Sequence, residues 1–288
     1  MKSAFVVLFV AICGYLYSET AAKSERLVVI SEVYNEIIWA LGAQDSVVGV
    51  DLSSTYPPEV KKVQNVGYHR ALSAEGILSL HPTAVLHDNN IGPPQVVQQL
   101  ESLSMPMKTF TAQNNSVDGD KALIREMGDY FHKEKRAEEL CKTIDSQMAA
   151  SLEEVKKYKD HPRVAVIHYG RASNVYLIVG KGKGTGDGSA ASQIIEWAGG
   201  LMAIDAEGMQ RMASPEIIAQ ANPDVILITD YGYDKLGSMD QIKALPGVET
   251  SNAAKTNRIF RVESDVLMRF GPRTGENIRK VAEIIHGK

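Results

Sequence analysis

Residues 73–86 read SAEGILSLHPTAVL, and 141 residues further on residues 214–227 read SPEIIAQANPDVIL. The register is unbroken: Ser73 and Ser214, Glu75 and Glu216, Ile77 and Ile218, Pro82 and Pro223, and Leu86 and Leu227 all coincide. Gly67 with Gly208, and Arg70 with Arg211, extend it upstream. Each copy dictates the same local structure. The serine is an N-cap candidate, and the glutamate two residues on falls in the first helical turn, where a carboxylate complements the helix dipole. A short helix follows, proline ends it, and an apolar, β-rich run (TAVLH or DVILIT) reads as a buried strand. A duplicated helix–strand unit predicts two related α/β lobes.

The flanking segments fit that reading. Residues 27–31 (LVVIS) and 47–51 read as strands around an amphipathic segment, 34–41, which Gly42 stops. In the second half, 164–168 (VAVIH), 175–179 (VYLIV) and 258–262 read as strands, with helices over 192–198 and 274–286. Strands alternating with helices predict a mostly parallel sheet in each lobe, flanked by helices. Between the lobes, from Asp120 to Lys159, there is no proline and one glycine, Gly128. Leu123, Met127, Tyr130 and Phe131, then Leu140, Ile144, Met148 and Leu152, recur at helical spacing. This predicts helix, with one long member joining the lobes until His161-Pro162 ends it. The expected organisation is an N-terminal lobe at 23–135, a linker helix at 136–160 and a C-terminal lobe at 161–288.

With 288 residues, 44% of them hydrophobic, the chain can build two cores. A net charge of -4 without a basic stripe argues against nucleic acid as a partner. At the N-terminus Lys2 precedes an apolar run, AFVVLFVAICGYL, and then SETAAKSE. This is the pattern of a secretory signal, and a core of about 13 residues is short for a bilayer span. Cleavage is expected after Ala22, giving a signal peptide at 1–22; an uncleaved anchor is the alternative. Cys13 would be the lipid-bearing residue of a lipoprotein, but Ile12 stands where a small side chain is wanted. After cleavage Cys141 remains alone, which leaves neither an internal disulfide nor a cysteine metal site. No nucleophile elbow, HExxH or Rossmann fingerprint is present, and the glycine-rich stretch 180–189 (GKGKGTGDGS) lacks phosphate-loop spacing. It reads as a loop near a cleft mouth, where Lys181 or Lys183 could meet a carboxylate. The chain is therefore expected not to be an enzyme.

Two lobes on one long helix behind a signal sequence resemble the ABC-transporter binding proteins that handle haem, cobalamin and ferric siderophores. Residues 65–80, NVGYHRALSAEGILSL, resemble the haem-binding members most closely, and 243–248 (KALPGV) and 270–275 (FGPRTG) match the same members. The resemblance implies a monomeric periplasmic carrier without direct membrane insertion. It would take ferric haem (haem b) in the inter-lobe cleft and pass it to a permease dimer with its ATPase. A ferric siderophore or cobalamin is the alternative cargo.

By the same resemblance Tyr68 corresponds to the tyrosine that supplies an axial oxygen to the iron. A phenolate is a hard donor suited to Fe(III), and a free tyrosine ionises only near pH 10, so bound iron must drive its deprotonation. On residues alone, Tyr68 could equally be a loop aromatic lining an apolar cleft. Arg70 would project beside Tyr68 from a β-like loop, within reach of a haem propionate, or else stand solvated; Arg211 offers the same choice. His168 ends the first strand of the second lobe, at the strand end where ligands collect in open α/β sheets. It is a second candidate iron ligand or a hydrogen-bonded structural residue. His69 and His87 also lie near the first-lobe edge. Many relatives place an arginine just after the strand equivalent to 225–229, where this chain has Tyr231. Tyr231 could stack on a porphyrin, hydrogen-bond Tyr68, add a second oxygen donor or form pocket wall. Glu75 and Glu216, one per lobe, correspond to the glutamates that dock onto permease arginines, a role compatible with helix capping.

Overall fold

The central strands of both sheets, Leu27–Ile30 and Ala84–His87 in the first and Val225–Thr229 in the second, are buried along their whole length, so each sheet buries both faces. In β1 (Leu27–Ile30), Leu27 and Val29 enter one core, while Val28 and Ile30 enter another. The computed structural model describes residues 25–112, 114–171, 174–179, 189–204, 206, 209–211 and 216–287; of 169–171, 174–175 and 209–211 it describes the backbone. The expected signal peptide, Cys13, Lys181, Lys183, Gly208 and Ser214 lie outside the described residues.

The first sheet adds β2 (Val47–Val50), β3 (Gln64–Asn65), β4 (Ala84–His87) and β5 (Met107–Lys108) in the order β3-β2-β1-β4-β5, all parallel. Helices α1 (Glu32–Leu41), α4 (Val117–Tyr130) and α5 (Glu134–Val155) cover one face; α2 (Ala74–Leu78) and α3 (Pro94–Ser102) cover the other.

The second sheet has β6 (Arg163–Arg171), β7 (Asn174–Ile178), β8 (Leu201–Met202), β9 (Met209–Arg211), β10 (Val225–Thr229) and β11 (Ile259–Val262). Its order is β11-β10-β6-β7-β9, with β8 beside β6. Helices α7 (Glu216–Ala221), α8 (Asp230–Leu236), α9 (Met239–Lys243) and α10 (Asn252–Lys255) lie on one face. On the other are α6 (Ala190–Trp197), α11 (Ser264–Leu267) and α12 (Thr274–His286). The fold is thus the expected two-lobed α/β architecture. One strand departs from parallel: β7 runs antiparallel to both β6 and β9. Only residues 172–173 separate it from β6, too few for the crossover that a parallel return demands.

The segment read as helix divides at His132, which takes a positive φ of 54° between α4 and α5. Helix α5 then runs 22 residues, about 33 Å at 1.5 Å per residue. Its first half places Ala137, Leu140, Cys141 and Ile144 in the first lobe's core, while Val155 packs on the second lobe. Near its end Ser151 Oγ donates to the Gly275 carbonyl at 2.7 Å. A Cβ at Gly275 would stand 2.6 Å from Gln147 Cβ and 2.7 Å from both Gln147 C and Met148 N, so α12 touches α5 backbone to backbone. Helix backbone cannot yield as a flexible side chain can. Gly275→Ala is therefore expected to cost about 2 kcal/mol in chemical denaturation, as overpacking does. Gly76→Ala is the control, because the added methyl meets only Ser73 at an ordinary 3.7 Å.

Candidate ligand cleft

The C-terminal ends of parallel strands carry the loops of an open α/β sheet, and there the two lobes meet. Ser31, Asp51 and Asp88 follow β1, β2 and β4; Arg269, from the segment after β11 and α11, lines the same hollow as these three and His69. Met268 and Arg269 also line a second hollow with Asn89, Asn90 and Phe110. Both sheets therefore turn their C-terminal edges toward one cleft, the position expected for a ligand.

Tyr68 sits on that edge just past β3, with 44% of its surface exposed. Leu52, next to the same edge, is 60% exposed. The loop that presents Tyr68 is held on both sides by backbone hydrogen bonds. Leu52 N–H donates to the Gly67 carbonyl at 2.8 Å, Gly92 N–H to the His69 carbonyl at 2.8 Å, and Leu72 N–H to the Gly92 carbonyl at 3.1 Å. Ala71 N–H closes a turn onto the Tyr68 carbonyl at 2.7 Å. Arg70 thus lies in a tight turn and not in the extended loop suggested by sequence alone. Its Nε donates to Asn90 Oδ1 at 2.9 Å. The His69 ring packs on Tyr68 with centroids 4.3 Å apart, tilted 50°. Beneath it Asp51, fully buried, accepts from Ser53 N–H at 3.1 Å, Ser54 Oγ at 2.7 Å and Ser53 Oγ. Sequence reasoning missed Asp51 and Asn90. Asp51 directly after the apolar strand VVGV, and the polar run Asp88-Asn89-Asn90 after AVLH, were the available signal.

In the second lobe the structure brings His168 and Tyr231 together, with ring centroids 6.0 Å apart. Helix α8 begins with Asp230 and Tyr231, and Gly232 lets it lie on β6: a Cβ there would stand 2.9 Å from the His168 carbonyl oxygen. Thr229 Oγ donates its proton to that carbonyl at 2.8 Å and also lies 3.2 Å from His168 Nδ1. The hydroxyl has one proton, so Nδ1–H must be the donor in the second contact, and Nε2 keeps its lone pair. Burial lowers the His168 pKa, opposed by the charge of Asp230, which favours this neutral form. His168 is thus chemically able to ligate. Tyr231, 48% exposed, has Lys235 Nζ 5.8 Å from its ring centre, so a cation lies one turn along α8 from it. His87 is engaged differently: its Nδ1 accepts from Asn89 N–H at 3.2 Å, and burial lowers its pKa despite Asp88. It serves the loop. Arg211 ends β9 opposite Tyr176, but its side chain is outside the described part.

Two arginines join the lobes across the cleft floor. Arg269 pairs with Glu32, and Arg273 donates to Glu36 at 2.9 and 3.1 Å and to Asp265 at 2.6 Å. Glu32 and Glu36 lie one turn apart on α1. Arg273 also covers the Tyr56 ring, 3.4 Å from its centre. Away from the cleft, Glu75 is exposed in the first turn of α2, whose cap Ser73 Oγ accepts from Gly76 N–H at 3.3 Å. Glu216, also exposed, opens α7. Among the described residues no helix is long and apolar enough to cross a membrane.

Two lobes bordering a shared cleft, carried on one helix, are the architecture of a substrate-binding protein. The chain belongs to the periplasmic binding protein family, whose description matches residues 27–266. Its fold is similar to that of the periplasmic haem-binding protein RhuT from Roseiflexus sp. RS-1 in apo form, with a TM-score of 0.81 and 32% identity over 91% of this chain and 98% of that one. It is also similar to the periplasmic haem-binding protein BhuT in complex with two haems, with a TM-score of 0.78 and 27% identity over 91% and 97%. In sequence it is 29% identical, over 92% of this chain and 81% of the relative, to the uncharacterised ABC transporter substrate-binding lipoprotein YvrC of Bacillus subtilis. The vitamin B12-binding protein of Vibrio vulnificus is 22% identical over 91% and 90%.

Proposed function

We propose that this chain is an exported carrier that binds ferric haem between its lobes through Tyr68 and delivers it to an ABC permease. The observation that carries the proposal is the exposed Tyr68 phenol, stapled at the cleft edge with Arg70 in the same turn. A solvent-exposed ring in a loop fixed by tertiary hydrogen bonds is pre-organised for a partner. The whole-length likeness to a haem-binding protein at 32% identity supports the cargo. In this reading Tyr68 gives an anionic oxygen to Fe(III), and His168 Nε2 is the candidate donor from the opposite lobe. Tyr231 supplies an aromatic wall, and Arg70 and Arg211 are the candidate partners of the haem carboxylates. Glu75 and Glu216, on lobes spanning 23–135 and 161–288, dock on the permease, and residues 1–22 serve as the export signal.

The sequence relatives that bind vitamin B12 favour cobalamin as a second reading. Hemin titration followed by absorbance separates the two. Micromolar hemin is expected to give a shifted Soret band with a phenolate-to-iron charge-transfer band. Tyr68→Ala is expected to lose that band and at least about tenfold in affinity, or 1.4 kcal/mol. Cyanocobalamin bound in place of hemin would sink the haem reading.

A further inference from the structure

We propose that Asn90 is a positioning residue of the cleft, polarising a relay of hydrogen bonds that sets His69 against Tyr68 and aims Arg70 at a carboxylate of the cargo. This rests on the haem reading of Tyr68 and extends it to residues that the motif does not contain. Asn90 lies after β4, some twenty residues from the turn that it serves. Its backbone N–H is tied to Asp88 Oδ1 at 3.1 Å, and Asp88 Oδ2 accepts from Ser31 Oγ, the cap of α1, at 2.9 Å. The side chain is thereby fixed to the sheet edge, and it bridges two consecutive residues of the Tyr68 turn.

The direction of the relay follows from donor chemistry. Arg70 Nε can only donate, so the Asn90 group facing it at 2.9 Å is the carbonyl oxygen. The amide nitrogen then faces His69 Nε2 at 3.2 Å, and because an NH2 group only donates, Nε2 must accept. The imidazole proton is left on Nδ1, which points at Asp51 Oδ2 at 3.5 Å. Arg70 donates to Asn90 and Asn90 to His69, whose remaining ring proton faces the Asp51 carboxylate. An amide can accept from a guanidinium and donate to an imidazole at once, through two separate atoms. Its product is geometric. His69 is locked with its ring on Tyr68, fixing the wall along which the phenol lies. Arg70 is held by Nε, and its two Nη groups make no hydrogen bond among the described residues. A porphyrin anchored through iron at Tyr68 would then meet a preset cation for one propionate, which selects carboxylate-bearing tetrapyrroles.

Asn90→Leu keeps the volume and removes both hydrogen bonds; Asn90→Asp keeps the acceptor and removes the donor. In the ligand-free protein, histidine 15N NMR is expected to show His69 as the Nδ1–H tautomer, with a tautomer mixture in Asn90→Leu and an Nε2–H donor in Asn90→Asp. A wild type with the proton on Nε2, or variants identical to it, would overturn the relay without any reference to haem. With cargo, the hemin dissociation rate is expected to rise about tenfold in Asn90→Leu while the phenolate charge-transfer band persists. Hemin dimethyl ester, lacking free propionates, is expected to leave wild type and variant at one rate. Equal effects on hemin and ester, or none on either, would overturn the role given to Arg70. A wild type that takes up no hemin overturns the haem reading and the cargo role together, while the tautomer still decides whether the relay exists.

Discussion

Arg273→Met is expected to remove about 3 kcal/mol of folding stability, the lower end of what breaking a buried ion pair costs. The methionine retains most of the stem's packing, so the loss reports the charge. Arg273 is 8% exposed and reaches from the C-terminal lobe to Glu36 of α1 with two hydrogen bonds, to Asp265 with a third, and over the Tyr56 ring. Burial alone would lower its pKa. The hydrogen bonds and charges of Glu36 and then Asp265 outweigh that and raise it, so the guanidinium is held firmly charged. Its removal leaves two carboxylates, with side chains only 15% and 19% exposed, without a counter-charge. A surface pair of the same composition would contribute under about 1 kcal/mol, and the burial decides between the two cases. Arg273→Lys should recover only part of the loss, because one ammonium cannot reproduce a fork on Glu36, a bond to Asp265 and a stacked face. Urea denaturation of the three proteins checks this, and a midpoint unchanged in Arg273→Met would show that the seam is not held by this network. The consequence for function is mechanical. Glu36 and Arg273 belong to different lobes, so the same contact that stabilises the fold also sets how far the cleft edges stand apart.

That network also marks where reading the sequence stops. Glu36 and Arg273 are separated by 237 positions, and each looks locally like a charge on a solvated helix face. Elements with a strong period were legible. Helix α12 has the expected bounds, Thr274–His286, because its apolar residues recur at helical spacing between Gly-Pro on one side and Gly287 on the other. The duplicated unit likewise located β4, β10 and the short helices before them. Strand direction was not legible, since alternation is the same in parallel and antiparallel strands, and β7 shows it. Neither was β3, whose two residues, Gln64 and Asn65, are polar and exposed. In the cleft Tyr68 could be found, because the stretch NVGYHRALSAEGILSL around it resembles the haem-binding members. The orientation of Arg70 could not, because the turn is closed by Gly92, which lies beyond α2 and β4 in the chain.

The contribution of one carboxyl group at the same seam, Asp120, to stability is expected to fall as pH rises from about 4 to 7. Asp120 stands in the first turn of α4, where the dipole would welcome its charge, yet it is 1% exposed. Asn114 Nδ2 donates to its Oδ1 at 2.8 Å and to the Phe270 carbonyl of the other lobe at 2.8 Å, while Oδ2 has no partner. Burial first, and the nearby charge of Glu36 second, push its pKa from 3.8 up to about 7. The folded state therefore keeps a proton that the unfolded chain gives up near pH 4. Between the two values the native form binds more protons, so its advantage is whole below pH 4, declines through the interval and is gone above about 7. The interval corresponds to something on the order of 4 kcal/mol at full effect. Other carboxylates titrate in the same range, so the difference between wild type and Asp120→Asn is the quantity to follow. The amide keeps a carbonyl for Asn114 and cannot ionise. Denaturation at pH 4 and pH 8 should show the variant gaining at least about 2 kcal/mol on the wild type between them, half the full value. A difference that stays flat would mean that Asp120 is ionised in the folded protein throughout, with its charge met by a group other than Asn114. If the difference does grow with pH, the Asn114 bridge to Phe270 becomes the contact through which acidity tightens the join between the lobes.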